Sequence, residues 1–409
     1  MNKVQSILVV GGGTAGWMAA GYFAVKGFNV TLIESPDIPI IGVGESTVPA
    51  INWLANEMGM EESEWMPLAN ATVKLGIRHE DWTHGGSHWY NWFLYDRNKH
   101  QSQMRCLTED MPARELLEYG YHVDASEFGN AICKTAAKKH NCQHIVDHVD
   151  QVIGNPESGI DHLITRTGKK LSADFYIDAT GFKKLLASQV EMNYKSYREH
   201  LNNRAIACPQ PSLPQLNRYT TTKARSAGWI WEIPLTNRRG TGYAYSSDYI
   251  SDEDAWLEYS REYPGTNPDS ASWLKFNPEV CTESIKTNVA VVGLSGGFIE
   301  PLEATSLYLT FFMVRQIFKY LEHNRSAEAL NRNLVRVFDH TAYYVLSHYT
   351  LSGKDYNDYW KYFKDLEVTM DSHSYIKTRS DQPDTLSWKE STMFFPYHYW
   401  SMLNGYGKL

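Results

Sequence analysis

The chain has no surplus of positive charge. Its 39 Lys and Arg stand against 47 Asp and Glu, a formal net charge of −8, with a pI near 6.0. Nothing is left over to neutralise a phosphate backbone, so nucleic acid and acidic membrane surfaces are not expected partners. Cysteine is scarce: Cys106, Cys133, Cys142, Cys208 and Cys281 are odd in number, scattered and without a CxxC pair. That excludes a disulfide framework and makes a reducing cytoplasm the expected location. The apolar stretch from Ile7 to Val25 holds five glycines, has no basic flank beyond Lys3 and no cleavage-site pattern, so neither a targeting segment nor a membrane anchor is expected. No repeat, low-complexity tract or Pro/Gly/Ser-rich linker divides the chain, which is expected to form one compact unit. His140, Cys142, His144 and His148 recur with period two, but no second cluster accompanies them, and no metal is expected.

What is abundant is aromatic: 13% of residues, with 13 Trp and 26 Tyr, enough to line a pocket for a planar ligand or to fill a core. The opening reads as strand, turn, helix, strand: VQSILVV, GGGTAG, WMAAGYFAVKG and FNVTLIE. Gly11, Gly13 and Gly16 fit GxGxxG between a strand and a helix, with Thr14 and Ala15 inside the motif, and Glu34 closes the next strand. The spacing predicts a dinucleotide site: glycines for the turn, for close approach to pyrophosphate and for helix–strand packing, and an acid for a ribose hydroxyl. Glu34 favours an unphosphorylated ribose, hence FAD or NAD over NADP. DHLITRT, ADFYIDATG and NVAVVGLSGG read as further strands opening toward a ligand. MPARELLEYG and EFGNAICKTAAKKHN read as helical, and from Thr305 onward apolar residues recur at helical spacing. Asp178 with Gly181, and Gly293 with Leu294, supply the second and third glycine-rich strand ends that two-dinucleotide flavoproteins use and NAD dehydrogenases do not need, so FAD is preferred. The expected fold is α/β, a Rossmann-like FAD-binding body of the flavin monooxygenase type over residues 1–304, with a mainly helical region over 305–409 packed on it.

From about Val4 to Trp360 the chain resembles the flavin-dependent tryptophan halogenase family. Gly228-Trp229-Ile230-Trp231-Glu232-Ile233-Pro234 matches its WxWxIP signature; the resemblance implies that Trp229, Trp231, Ile233 and Pro234 separate flavin from organic substrate. Ala71-Thr72-Val73-Lys74-Leu75-Gly76-Ile77 with Trp82 resembles the segment holding the essential lysine, which implies that Lys74 binds hypohalous acid or forms a haloamine; burial would assist by lowering its pKa. GFIEPLEATS over 297–306 resembles GFxxPLExT, which implies that Glu303 faces Lys74 and that Thr305 and Ser306 help to bind halide. A helix starting there would offer its positive end to an anion. Gly44, Glu45 and Ser46 lie in a stretch resembling the family's flavin-contacting GVGE loop, and His348-Tyr349 with Trp360 resembles its HYxLT…FW region.

The resemblance implies a short member of the family with a reduced C-terminal substrate cover. Reduced FAD, O2 and halide would generate hypohalous acid for electrophilic halogenation of an indole- or phenol-like ring, with a separate flavin reductase as partner. Tryptophan-specific members often carry Ser-Thr-Gly where this chain has Ala304-Thr305-Ser306, and a broad scope favouring bromide or iodide is the expectation. Two alternatives stay open: an FAD-dependent aromatic hydroxylase, against which Lys74 and the WIWEIP stretch argue, and a non-catalytic flavin-binding module. Glu303 could stabilise the cationic ring, accept its proton or polarise the oxidant. A homo-oligomer is allowed, although no specific residue motivates one.

Overall fold

The computed structural model describes residues 4–38, 44–93, 118–323, 325–366, 393–394 and 396–408. The helical expectation at MPARELLEYG falls largely outside them, as does the 41–43 part of the GVGE-like loop. Among the described residues no helix is long and apolar enough to cross a membrane.

Ser6–Val10 is short, β-branched and almost wholly buried, the pattern of a strand covered on both faces. It lies inside a six-stranded sheet, paired in parallel with Asn29–Glu34 on one side and Phe175–Asp178 on the other; Val289–Val291 continues the sheet beyond Asp178. The registers Val10↔Asp178 and Asp178↔Val291 bring three strand ends level. A ligand crevice belongs at such carboxyl ends. The helix Thr14–Val25 is apolar on every side because it is enclosed by the sheet, by the turns of 129–139 and by the helix Ser306–His323. Gly11 adopts φ +114°, and a Cβ there would stand 2.3 Å from the Ala179 carbonyl oxygen, so only glycine lets the two strand ends meet this closely.

EFGNAICKTAAKKHN is helical, with a π turn over Gly129–Lys134 between two short α segments. The C-terminal spacing resolves into the helices Ser306–His323 and Ala327–Ser352. Ser326 caps the second by accepting from Ala329 N, and Gly353 ends it at φ 68°, as a left-handed C′ glycine does. DHLITRT departs from expectation: Gly159–Thr165 belongs to a separate three-stranded antiparallel sheet, away from the ligand crevice. Its alternating side chains pack on the outer core instead, with Leu163 fully buried.

The second large sheet has eight strands. Gly228–Pro234 runs near its middle, between Tyr219–Arg225 and Arg238–Tyr245, and Tyr219–Arg225 pairs in parallel with Gly76–Glu80. Gly76–Glu80 in turn pairs with His88–Trp92. Gly44–Ser46, Gly120–Asp124 and Thr72–Lys74 form a separate small sheet, whose Gly44–Ser46 strand packs on Gly228–Pro234 and Arg238–Tyr245. Lys74 is therefore held by one sheet while the next strand, two residues on, belongs to another.

Candidate active site

At the ends of the first sheet lies a cavity of about 520 Å³. Gly11, Gly13, Thr14, Ala15, Glu34, Gly44, Glu45, Ser46, Gly181, Gly293 and Leu294 all line it. A Cβ at Gly13 or Gly181 would meet nothing within 4 Å, so the backbone stands open to a ligand at both turns. No side chain caps the helix that starts at Thr14, which leaves its positive end to an anion such as pyrophosphate. Glu34 receives His144 Nε2 on Oε1 at 2.6 Å. A Cβ at Gly12 would fall 1.6 Å from Glu34 Oε2, so this third glycine, which the GxGxxG pattern does not require, makes room for the acid. These features suit a dinucleotide with a free ribose diol.

Gly16 and Asp178, expected beside the cofactor, and Pro234, expected in the wall between flavin and substrate, do not line the cavity. Gly16 does not reach the cavity; it serves helix–strand packing, since a Cβ there would stand only 1.9 Å from Gly11 O. Asp178 is fully buried, and its carboxylate is engaged within the protein: Oδ1 accepts from Thr180 N and Oγ1 at 2.8 and 2.7 Å, and Oδ2 from Leu186 N and Ala187 N at 2.7 and 2.9 Å. It shapes the Thr180-Gly181 turn without facing the cavity. Pro234 ends its strand outside the lining, its carbonyl accepting the Thr72 hydroxyl at 2.7 Å. The His140 to His148 cluster is dispersed: His144 serves Glu34, and His148 meets Ser35 and Asp37.

Trp229, Trp231 and Ile233 do line the cavity, as alternate residues on one face of their strand. Trp229 donates its indole N–H to Glu300 Oε2 at 2.8 Å, and Asn202 and the Tyr349 hydroxyl donate to the same oxygen at 2.6 and 2.7 Å. Burial works to raise the Glu300 pKa, but His200, Trp229 and Tyr349 overcome it and hold the group below its ordinary value. The wall is thus fixed by an anion three residues before Glu303.

Thr305 and Ser306 line the cavity where the helix Ser306–His323 begins, after two successive left-handed residues, Glu303 at φ 70° and Ala304 at φ 58°. Non-glycine residues in that region carry strain, here between an acid and a helix N-terminus. Glu45, also on the cavity wall, has its carboxyl pushed up to about 7 by burial.

Lys74 does not line the cavity. It is fully buried, donates to the Thr47 carbonyl at 3.1 Å, and sits 4.9 Å from the centre of the Phe93 ring. Burial lowers its pKa to about 7 against the opposing attraction of Glu303. Glu303 belongs to both sides, lining the cavity while its carboxylate meets Asn91 Nδ2 at 3.0 Å on Oε2 and His79 and His348 Nε2 at 3.1 and 3.0 Å on Oε1. Burial would raise its pKa; the two imidazoles reverse this and hold it well below the usual carboxylate range. Trp89 stacks on both imidazoles, at 4.3 Å from His79 and 5.9 Å from His348. His79, Glu303 and His348 bring their ligand atoms within 4.8 Å of one another, the one such cluster among the described residues. Each ring's Nδ1 faces a hydroxyl, Thr222 at 2.9 Å and Tyr406 at 3.2 Å. Sequence reasoning missed His79 and Asn91 as site residues. Their only signal is alternation on adjacent strands, His79 five residues after Lys74 and Asn91 inside an aromatic run, and it needs the pairing of these strands to become visible.

The tryptophan halogenase family model matches residues 6–104 and 94–409. The 7-chloro-L-tryptophan 6-halogenase KtzR of Kutzneria is 30% identical over 87% of this chain and 81% of its own length. The crystal structure of the tryptophan 6-halogenase SttH of Streptomyces toxytricini superposes with a TM-score of 0.87 at 28% identity, covering 99% of this chain and 91% of that one. Xcc4156, a flavin-dependent halogenase from Xanthomonas campestris, shares the fold with a TM-score of 0.91 at 23% identity, over 100% of this chain and 90% of that one.

Proposed function

This chain belongs to the tryptophan halogenase family, and from that premise we propose that it is an FAD-dependent halogenase placing a halogen on an electron-rich indole- or phenol-like ring. The observation that carries the reading is the division of the site. Lys74 is a buried amine with its pKa lowered to about 7, off the cavity in which a dinucleotide fits, with Trp229, Trp231 and Ile233 on that cavity's wall.

Reduced FAD, held by the Gly11–Gly16 turn, Glu34 and the Gly293 turn, would supply with O2 the oxidising equivalents that convert halide to hypohalous acid. Thr305 and Ser306, at a helix N-terminus on the cavity, would receive the halide. The indole wall keeps an organic ring from the cofactor and leaves a small oxidant as the species that crosses. At neutral pH a substantial share of Lys74 is free amine. That amine either hydrogen-bonds hypohalous acid or takes its halogen, forming an N–X bond and releasing water. Glu303 sets a negative charge beside the point where the ring becomes cationic. Bromide and iodide, more easily oxidised than chloride, are the expected halides, and a separate flavin reductase is the expected source of reduced cofactor.

The test is mass spectrometry of indole, phenol and aniline panels incubated with protein, FAD, flavin reductase, NADH, O2 and each halide, beside Lys74→Ala. Halogenated product from the wild type alone is the expected result. Oxygenated product would replace this reading with a hydroxylase, and bound flavin without any product would replace it with a non-catalytic module.

A further inference from the structure

The proposed function leaves open whether Glu303 removes the ring proton. Its carboxylate has four lone-pair sites and is surrounded on three sides: His79 from the strand Gly76–Glu80, His348 from the helix Ala327–Ser352 and Asn91 from the strand His88–Trp92. Lys74 adds its charge, and Tyr406 stands behind His348. His79, His348 and Glu303 are at most 4% exposed.

The proton positions follow from valence. A carboxylate only accepts, and a bare imidazole nitrogen held 3.0 to 3.1 Å from it in a dry site would set lone pair against lone pair. Each ring therefore carries hydrogen on Nε2, although both N–H groups approach Oε1 obliquely. Burial lowers the His79 pKa to about 4, so that ring is neutral, has no second hydrogen and accepts at Nδ1. The groups facing the two Nδ1 atoms are the Thr222 and Tyr406 hydroxyls, which can donate. Trp82 Nε1 donates to Thr222 Oγ1 at 3.1 Å, occupying that oxygen as acceptor and leaving its hydrogen for His79. The two Nδ1 atoms are thus satisfied by hydroxyls, while both Nε2 atoms face Glu303 Oε1 alone at 3.0 to 3.1 Å.

Resting on the halogenase reading, we propose that His79 and His348 are positioning residues that hold Glu303 as a fixed carboxylate, so that it stabilises the cationic ring and does not take its proton. The balance of the reaction agrees. Where Lys74 carries the halogen, the ring's attack breaks the N–X bond as the departing nitrogen takes up the proton lost from carbon, giving halogenated ring and free amine. Where hypohalous acid reacts directly, the leaving hydroxide takes the proton and departs as water. In both routes the halogen carrier supplies its own base.

Two measurements test this. The first needs no activity: nitrogen-15 NMR of histidine-labelled protein, with His79 and His348 assigned through Gln variants, should show both rings protonated at Nε2. A bare Nε2 on either ring, as a bound metal or a protonated Glu303 would require, overturns the proposal whether or not the protein halogenates. The second is competition between protiated and ring-deuterated substrate in Glu303→Gln. A fixed charge assists attack on the halogen, so the slowed variant should show an isotope effect close to unity; a several-fold primary effect would show that a base had been removed. His79→Leu should lower kcat about tenfold with KM for the ring unchanged, and His79→Gln, which keeps an N–H donor, should recover most of it. Equal loss in both variants overturns the positioning role.

Discussion

The two sides of the site follow opposite plans. Toward the cofactor there is a cavity of about 520 Å³ bounded by glycine turns and two helix N-termini, at Thr14 and Ser306. Around Lys74 and Glu303 there is dense packing of His79, Trp82, Trp89, His348 and Tyr406. The first side presents backbone donors to a large anion. On the second, burial drives an amine to about 7 while two imidazoles hold a carboxylate far down within one cluster. On the proposed reading, binding the oxidant's source and steering the oxidant would occupy different dielectric surroundings, with Trp229 and Glu303 lining the cavity between them.

The strongest challenge to that division is Lys74→Met. Product formation should fall by about a thousandfold or more, while flavin titration shows cofactor affinity unchanged; a joint loss would mean that the two sides are one. Gly11→Val attacks the other side. At φ +114° and 2.3 Å from the Ala179 carbonyl, the new side chain should cost about 2–4 kcal/mol in thermal or denaturant unfolding and empty the protein of flavin. At the boundary, Trp229→Phe removes the donor to Glu300, a loss of about 1–3 kcal/mol. More hypohalous acid should then escape to an external scavenger per turnover; unchanged escape would show that the indole is packing alone.

The pH profile gives a gentler test. Because folding lowers the Lys74 pKa to about 7, the unfolded chain binds this proton more tightly, and the contribution of this group to stability rises with pH from about 7 to the unfolded value of about 10.4. Activity carried by the free amine should rise through about pH 7. In Glu303→Gln, which removes the charge opposing burial, the residual activity should begin its rise at lower pH. The smallest effect is expected from His144→Ala, which releases Glu34 Oε1 and should weaken FAD binding by about 0.5–1.5 kcal/mol, read by equilibrium dialysis.

Much of the cofactor side can be read along the chain because its parts are consecutive: Gly11 to Gly16 turn, approach and pack within six residues, and Glu34 ends the very next strand. Asp178 shows where such reading stops. An acid at a strand end beside a glycine looks like a ligand contact, and only the hydrogen bonds to Thr180, Leu186 and Ala187 reveal that its oxygens are already engaged. Gly159–Thr165 shows the same limit for strands, since alternation does not specify which sheet a strand joins.

By itself the sequence marked the glycine turn suited to a dinucleotide, the alternation that puts Trp229, Trp231 and Ile233 on one face, and Lys74 and Glu303 as candidates, because each rests on residues near one another in the chain. Tertiary structure alone decided the state of those last two. The carboxylate depends on His79 and Asn91, more than 200 positions before it, and on His348, 45 positions after it. The lysine depends on the exclusion of water by aromatic rings from separate elements. Burial and long-range pairing set the charge of an ionisable group, and neither is a local property of the chain.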